Sequence, residues 1–145
     1  MLRRKGFTIL ELLIVIAVIS ILVGIALPRF KGMQDEGNIA RAKGELRMLT
    51  TAIESYYIHN NNTLPTALSN LTTAAPQIAP STLPTDPFTS GSAYGYAKTS
   101  PWFVVYSVGP SANGSASIDA NGAVTETNGA SCIYMTNGSP VDSQP

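Results

Sequence analysis

The chain begins with a long apolar run. Between Phe7 and Leu27 there are 21 residues and a single charged side chain, Glu11. An α-helix rises about 1.5 Å per residue, so a helix of this length can cross a hydrocarbon core of about 30 Å. The pattern therefore predicts a membrane-spanning helix over 7–27. An ionisable group inside such a helix is costly, so Glu11 is expected to have a function.

The helix is expected to continue beyond this run with an amphipathic pattern. Apolar residues at steps of three and four share one face of a helix, and here they are Ile39, Ala42, Leu46, Leu49, Ile53 and Tyr56. Three consecutive asparagines at 60–62 then favour a turn. Gly24 and Pro28 lie inside the helix, and proline has no amide hydrogen, so a kink is predicted there. We expect a helix with interruptions from Phe7 to about His59, divided into segments 7–27 and 28–60.

The C-terminal part has the pattern of short β-strands. A Pro-, Thr- and Ser-rich stretch is predicted to be a loop, with a short helix over 66–71. β-branched and aromatic residues then predict strands over 93–97, 102–108, 115–120, 123–127 and 132–135. Asn121-Gly122 predicts a two-residue type I′ turn between two of them. The fold class is therefore α+β: a long N-terminal helix packed on a small antiparallel β-sheet. Segments 28–60 and 61–145 would form one globular domain.

Charge is unevenly distributed along a chain whose formal net charge is zero. From residue 49 onward Lys98 is the only Lys or Arg, so this weakly acidic half argues against nucleic-acid binding. The cations are concentrated at Arg29, Lys31, Arg41, Lys43 and Arg47. They form either a solvated helix face, with the first two at lipid headgroups, or pairs with acids of adjacent copies such as Asp35, Glu36 or Glu45.

Side chains for catalysis are scarce. His59 is the only histidine, so a histidine-rich metal site cannot be assembled, and the sequence around His59 does not indicate a Ser-His-Asp triad. Cys132 is the only cysteine, which excludes an intrachain disulfide, and it is expected to be buried, with its role left open. We therefore interpret the chain as a protein that is not an enzyme. A membrane-anchored periplasmic enzyme would need a cluster of nucleophile, base or metal ligands.

The N-terminal segment resembles the signature of the type IV pilin superfamily. The resemblance rests on the basic residues Arg3, Arg4 and Lys5, then Gly6, Phe7 and, fifth after the glycine, Glu11. It implies that prepilin peptidase removes a leader, residues 1–6, and N-methylates the new terminus at Phe7. It also implies that Glu11 pairs with the Phe7 amine of a neighbouring subunit during assembly.

The second half is similar to the major pseudopilin of type II secretion systems. The segments concerned are Leu-Pro-Thr-Asp-Pro-Phe at 83–88, Tyr-Gly-Tyr at 94–96 and Val-Tyr-Ser-Val-Gly-Pro at 105–110. This resemblance implies a structural subunit of a pseudopilus that drives protein secretion. The alternative is the major subunit of an extracellular type IV pilus for adhesion, motility or DNA uptake.

The resemblance also implies a location and partners. The chain would cross the bacterial inner membrane once, with its basic leader in the cytoplasm, its C-terminal domain in the periplasm and its fibre periplasmic or extracellular. Its partners would be further copies of itself, minor pilins or pseudopilins, prepilin peptidase, membrane lipid, an inner-membrane platform protein, an assembly ATPase and an outer-membrane secretin.

No cofactor is required by this interpretation, but calcium is a candidate ligand. Major pseudopilins bind calcium in the loop that corresponds to residues 108–120. Here Asp119, Asn113 and Asn121 could supply oxygen ligands, of which calcium takes six to eight. The alternative is that these residues shape turns through local hydrogen bonds, and Asp86 is expected to shape an Asp-Pro turn in the same way.

Overall fold

The computed structural model describes residues 6–74, 78–79, 81–127 and 132–142. Two helices are followed by five strands: α1 (Ile9–His59), α2 (Asn70–Thr73), β1 (Gly95–Thr99), β2 (Trp102–Ser107), β3 (Ser115–Ile118), β4 (Val124–Thr127) and β5 (Ile133–Thr136). The chain divides into two compact units, Met1–Glu36 and Gly37–Pro145. The long helix and the antiparallel strands confirm the predicted α+β class.

The amphipathic part of α1 packs as its spacing predicts. Leu46, Leu49 and Ile53 are completely buried and belong to the main hydrophobic core. The helix ends at His59, and Asn61 and Asn62 follow with left-handed φ angles of 50° and 55°. The amide of Asn62 donates to the carbonyl of Tyr57 at 3.0 Å, which satisfies an acceptor in the last turn. The asparagine run therefore ends the helix, as expected.

The predicted interruptions of α1 are not seen in its secondary structure. The helix is unbroken from Ile9 to His59 and passes through both Gly24 and Pro28. A helix can bend at these positions and still be continuous in its secondary structure, so the kink itself stays a prediction.

A three-stranded antiparallel sheet, in the order β1-β2-β5, covers the helix. Side chains alternate across a strand. Phe103 and Val105 of β2 therefore join the core that contains α1, whereas Val104 between them joins a second cluster with Ala116 and Ile118 of β3. The unit Gly37–Pro145, here called the globular unit, thus has three layers: helix, sheet and hairpin.

The hairpin departs from the sequence prediction in two ways. Strands β3 and β4 form a separate two-stranded sheet, because β3 packs against the face of the larger sheet rather than pairing at its edge. The connection is also not a two-residue type I′ turn, since Gly122 has a positive φ of 82° but Asn121 does not. The Asp119 amide donates to the Ala123 carbonyl at 3.0 Å, and the Gly122 amide to the Asp119 carbonyl at 3.1 Å. This is a three-residue loop that ends in a left-handed glycine.

Other element boundaries also differ from those predicted. The short helix occupies Asn70–Thr73 rather than 66–71. Strand β1 begins at Gly95 rather than at residue 93, and Ala93 instead forms an isolated bridge with Thr85. Gly95 lies opposite Tyr106, and a Cβ at Gly95 would lie 2.2 Å from that ring. The glycine therefore makes room for a cross-strand aromatic side chain.

Candidate functional site

The N-terminus of α1 is closed by a reciprocal pair of side chains. The hydroxyl of Thr8 accepts from the Glu11 amide at 3.2 Å, and Glu11 Oε2 accepts from the Thr8 amide at 3.3 Å. The Thr8 hydroxyl also donates to Oε2 at 3.2 Å. This is a capping box, in which two otherwise unsatisfied amides gain acceptors at the start of a helix. The pattern Thr-x-x-Glu could have been found in the sequence.

Glu11 therefore has a role within a single copy. Its carboxylate lies in the first turn, where the helix dipole favours negative charge. Both contacts of the carboxylate are made by Oε2, and Oε1 has no partner in the part of the chain that the structure describes. The predicted salt bridge to a neighbouring subunit's Phe7 amine stays a prediction.

The proposed cleavage position lies just before this cap. Gly6 and Phe7 are exposed and non-helical, with Phe7 82% exposed, and α1 begins two residues later. The peptide bond between them is thus outside the helix. The three leader cations, Arg3, Arg4 and Lys5, lie outside the described residues, and cleavage stays a prediction.

The first part of α1 is apolar on every side. Its large side chains between Ile9 and Leu27 are 46–81% exposed. Ser20, a polar residue within it, donates its hydroxyl to the Ile16 carbonyl at 2.7 Å, so its hydrogen bond is satisfied inside the helix. By length and composition this helix could cross a membrane, with a hydropathy of 3.0 over its most apolar window. A helix that is hydrophobic all round requires lipid or other protein around it.

Among the basic residues between Arg29 and Arg47, Arg41 forms an ion pair and the others do not, within the part of the chain that the structure describes. Arg41 Nε lies 2.8 Å from Glu45 Oε1, and the buried Tyr94 hydroxyl donates to Glu45 Oε2 at 2.6 Å. Burial and then the bond to Glu45 raise the pKa of Tyr94. Within the described residues Arg29, Lys31, Lys43 and Arg47 form no ion pair. Glu45, expected among the partners in other copies, thus already has two partners in its own chain.

The residues predicted for calcium are placed on two loops. Asp119 Oδ1 accepts from the amides of Asn121 and Ala123, both at 2.8 Å, so this carboxylate holds the hairpin turn. Asn113 lies in the preceding 108–114 loop. Among the described residues no group of three or more His, Cys, Asp or Glu side chains is placed to hold a metal. Calcium binding stays a prediction.

Cys132 and Asp86 are both buried. Cys132 is 3% exposed, as predicted, and burial raises the pKa of its thiol to about 12. Asp86 is 2% exposed: Oδ1 accepts from the Phe88 amide at 3.0 Å and the Ser107 hydroxyl at 2.8 Å, and Oδ2 from the Val108 amide at 2.9 Å. It shapes its own turn, as expected. It also joins that turn to the end of β2, which the sequence did not predict.

Comparison with known proteins agrees with the N-terminal pattern. Residues 1–27 match the model of the prokaryotic N-terminal methylation motif. Fimbrial protein EcpB of Eikenella corrodens is 46% identical over 59 residues, which are 41% of this chain and 37% of that protein. The type IV major pilin protein PilA of Myxococcus xanthus is 44% identical over 55 residues, 38% of this chain and 25% of that protein.

A secretion protein is also similar. The type II secretion system core protein G of Aeromonas hydrophila is 32% identical over 80 residues, which are 52% of this chain and 56% of that protein. The matched part of the chain thus spans between a quarter and just over half of the length of these three relatives. No solved structure matches the chain significantly.

Proposed function

We propose that this chain, a member of the type IV pilin superfamily, is a structural subunit of a type II secretion pseudopilus. The observation that carries the proposal is the helix from Ile9 to Leu27, exposed on all sides and capped by Thr8 and Glu11 directly after Gly6. In the inner membrane lipid would cover this surface. After cleavage, other copies would cover it in a fibre, where packing replaces lipid contacts.

In this proposal prepilin peptidase cuts between Gly6 and Phe7 and methylates the Phe7 amine. The platform protein, the assembly ATPase and minor pseudopilins would then extract and add subunits, with the globular unit in the periplasm and the fibre directed at the outer-membrane secretin. The mass of the N-terminal peptide of the mature protein tests the first step. A peptide that begins with methylated Phe7 supports it, and a mature chain that retains Met1 contradicts it.

Assembly is tested at Glu11. We expect Glu11→Ala to be cleaved normally but to give little fibre, because the neighbouring ammonium loses its counter-charge in an apolar environment. Glu126→Ala, which removes an exposed acid outside α1, is the control and should assemble normally. Normal fibre yield from Glu11→Ala would refute the role of this carboxylate.

The alternative function is the major subunit of an extracellular type IV pilus. It is favoured by the higher identity to the fimbrial and pilin relatives, whereas the secretion relative matches a longer part of the chain. Deleting the subunit separates the two. Loss of secreted proteins, without loss of surface filaments, supports the pseudopilus. Loss of long filaments from sheared surface fractions, with secretion unchanged, supports the pilus.

A further inference from the structure

The globular unit has an open aromatic pocket, here called the Trp102 pocket. Its volume is about 390 Å³, and it is lined by Glu54, Tyr57 and Ile58 of α1 and by Trp102, Phe103 and Asn137 of the strand region. It thus lies between the C-terminal turns of α1 and the start of β2. The lining is mostly apolar, with the Glu54 carboxylate as its charged group.

The strand side of the Trp102 pocket is held in place by specific contacts. Asn137 Oδ1 accepts from the Phe103 amide at 2.8 Å, and Asn137 Nδ2 donates to the Pro101 carbonyl at 3.0 Å. The Trp102 ring lies against Gly122, where a Cβ would be 2.8 Å from its Cδ2. The pocket is therefore preformed, which lowers the entropic cost of filling it.

The edge of the pocket has an exposed apolar side chain and an unpaired carboxylate, as far as the structure describes the chain. Ile58 is 72% exposed although it is next to aromatic side chains. Glu54 is exposed and has no hydrogen bond or ion pair in the described part of the chain. An aromatic pocket with an unpaired carboxylate fits an apolar side chain that has a cation beside it.

The chain contains a segment with that chemistry. Phe30 is 67% exposed and is flanked by Arg29 and Lys31, neither of which has an ion pair among the described residues. Side chains on one helix meet when they are three or four positions apart, and Phe30 and Glu54 are 24 positions apart in α1. A contact between Phe30 and the Trp102 pocket would therefore join two copies.

We propose that the Trp102 pocket receives Phe30 of a second copy of this chain, with the flanking cations beside Glu54. This inference rests on the proposed function, because it requires copies stacked in a fibre. The complementary charges select a second copy as the occupant, because Arg29 and Lys31 beside Phe30 form no ion pair among the described residues and neither does Glu54 beside the pocket.

Cysteine pairs test this contact in the full chain, expressed with its assembly system and treated with a thiol oxidant. In Phe30→Cys/Ile58→Cys each copy can be linked to two others, so a ladder of dimers, trimers and larger species is expected. The matched control is Gly32→Cys/Ile58→Cys: Gly32 is about 200° around the helix from Phe30 and has space for a side chain. The unmodified chain controls for the buried Cys132.

A second pair protects the test against a folding defect. Lys31→Cys/Glu54→Cys replaces two exposed polar residues and should give the same ladder. Ladders from both pairs but not from the Gly32 control support the contact. Fibres seen by electron microscopy without a ladder from either pair, or with an equal ladder from the control, overturn this inference alone. Absence of fibres from the unmodified chain in its active assembly system overturns the proposed function and this inference together.

Discussion

Removal of the Asp86 carboxylate should destabilise the globular unit strongly. Asp86→Ala leaves the Ser107 hydroxyl, which is fully buried, and the amides of Phe88 and Val108 without their acceptor. A buried donor without a partner costs about 1–3 kcal/mol. Since the two amides are only partly buried and can gain water, we expect a total loss of about 3–5 kcal/mol in the free energy of unfolding.

Asp86→Asn distinguishes the contribution of Oδ1 from that of Oδ2. An amide oxygen in the Oδ1 position keeps the bonds from Phe88 and Ser107, but the NH₂ group then faces the Val108 amide, which is also a donor. One acceptor is lost instead of the whole set. The expected loss is therefore intermediate, about 1–3 kcal/mol.

Urea unfolding of a fragment with residues 37–145 measures these changes, provided that the unmodified fragment unfolds cooperatively. Asp119→Ala is the matched control, because it removes the same group and two backbone hydrogen bonds from an exposed turn. Water can replace those bonds, so the loss should be within about 1 kcal/mol. Equal losses for Asp86→Ala and Asp119→Ala would show that the buried carboxylate does not join the turn to β2.

Four further predictions follow from the other polar groups. Thr8→Ala should destabilise the start of α1 by about 0.5–2 kcal/mol, because the amide of Glu11 loses its cap, and Thr8→Ser should not; amide exchange of the chain in micelles measures this. Tyr94→Phe should lower the free energy of unfolding by about 1–2 kcal/mol in urea, and no change would show that its bond to the carboxylate is not stabilising. The pKa of about 12 keeps the Cys132 thiol protonated, so a thiol reagent at pH 8 should react slowly until urea unfolds the chain. The stability gained from burying this neutral thiol should decline as the pH rises from 9 toward 12, because the unfolded chain loses the proton first. Millimolar calcium should raise the thermal midpoint if Asp119 contributes to a calcium site, and Asp119→Ala should abolish the increase, whereas an unchanged midpoint would reject the site.

Local periodicity was sufficient to predict the helix and its buried face. Leu46, Leu49 and Ile53 are spaced by three and four residues, and this spacing alone puts them on one side of a helix. The β-branched and aromatic run that begins at Trp102 likewise predicted the central strand. In both cases the information lies within a few residues of the element concerned.

Features that depend on distant partners could not be predicted in this way. The contacts of Asp86 with Ser107 and Val108 join residues more than 20 positions apart, and the sequence around Asp86 indicates only its own turn. The hairpin loop is longer than the Asn121-Gly122 pair that predicts a two-residue turn. The pairing of Asp119 with Ala123 places a third residue in it, and a three-residue loop requires a left-handed φ only at its glycine.

The capping box and the expected intersubunit contact do not compete for the same atom of Glu11. In one copy the Thr8 amide and hydroxyl both donate to Oε2, whereas Oε1 has no partner among the described residues. A carboxylate has about four acceptor sites, so Oε2 can hold the helix cap while Oε1 accepts from a neighbouring ammonium. The cap would fix the position and direction of the carboxylate before assembly, which lowers the entropic cost of the second contact. The helix cap within one copy and the predicted salt bridge to a neighbouring copy are therefore compatible in one fibre.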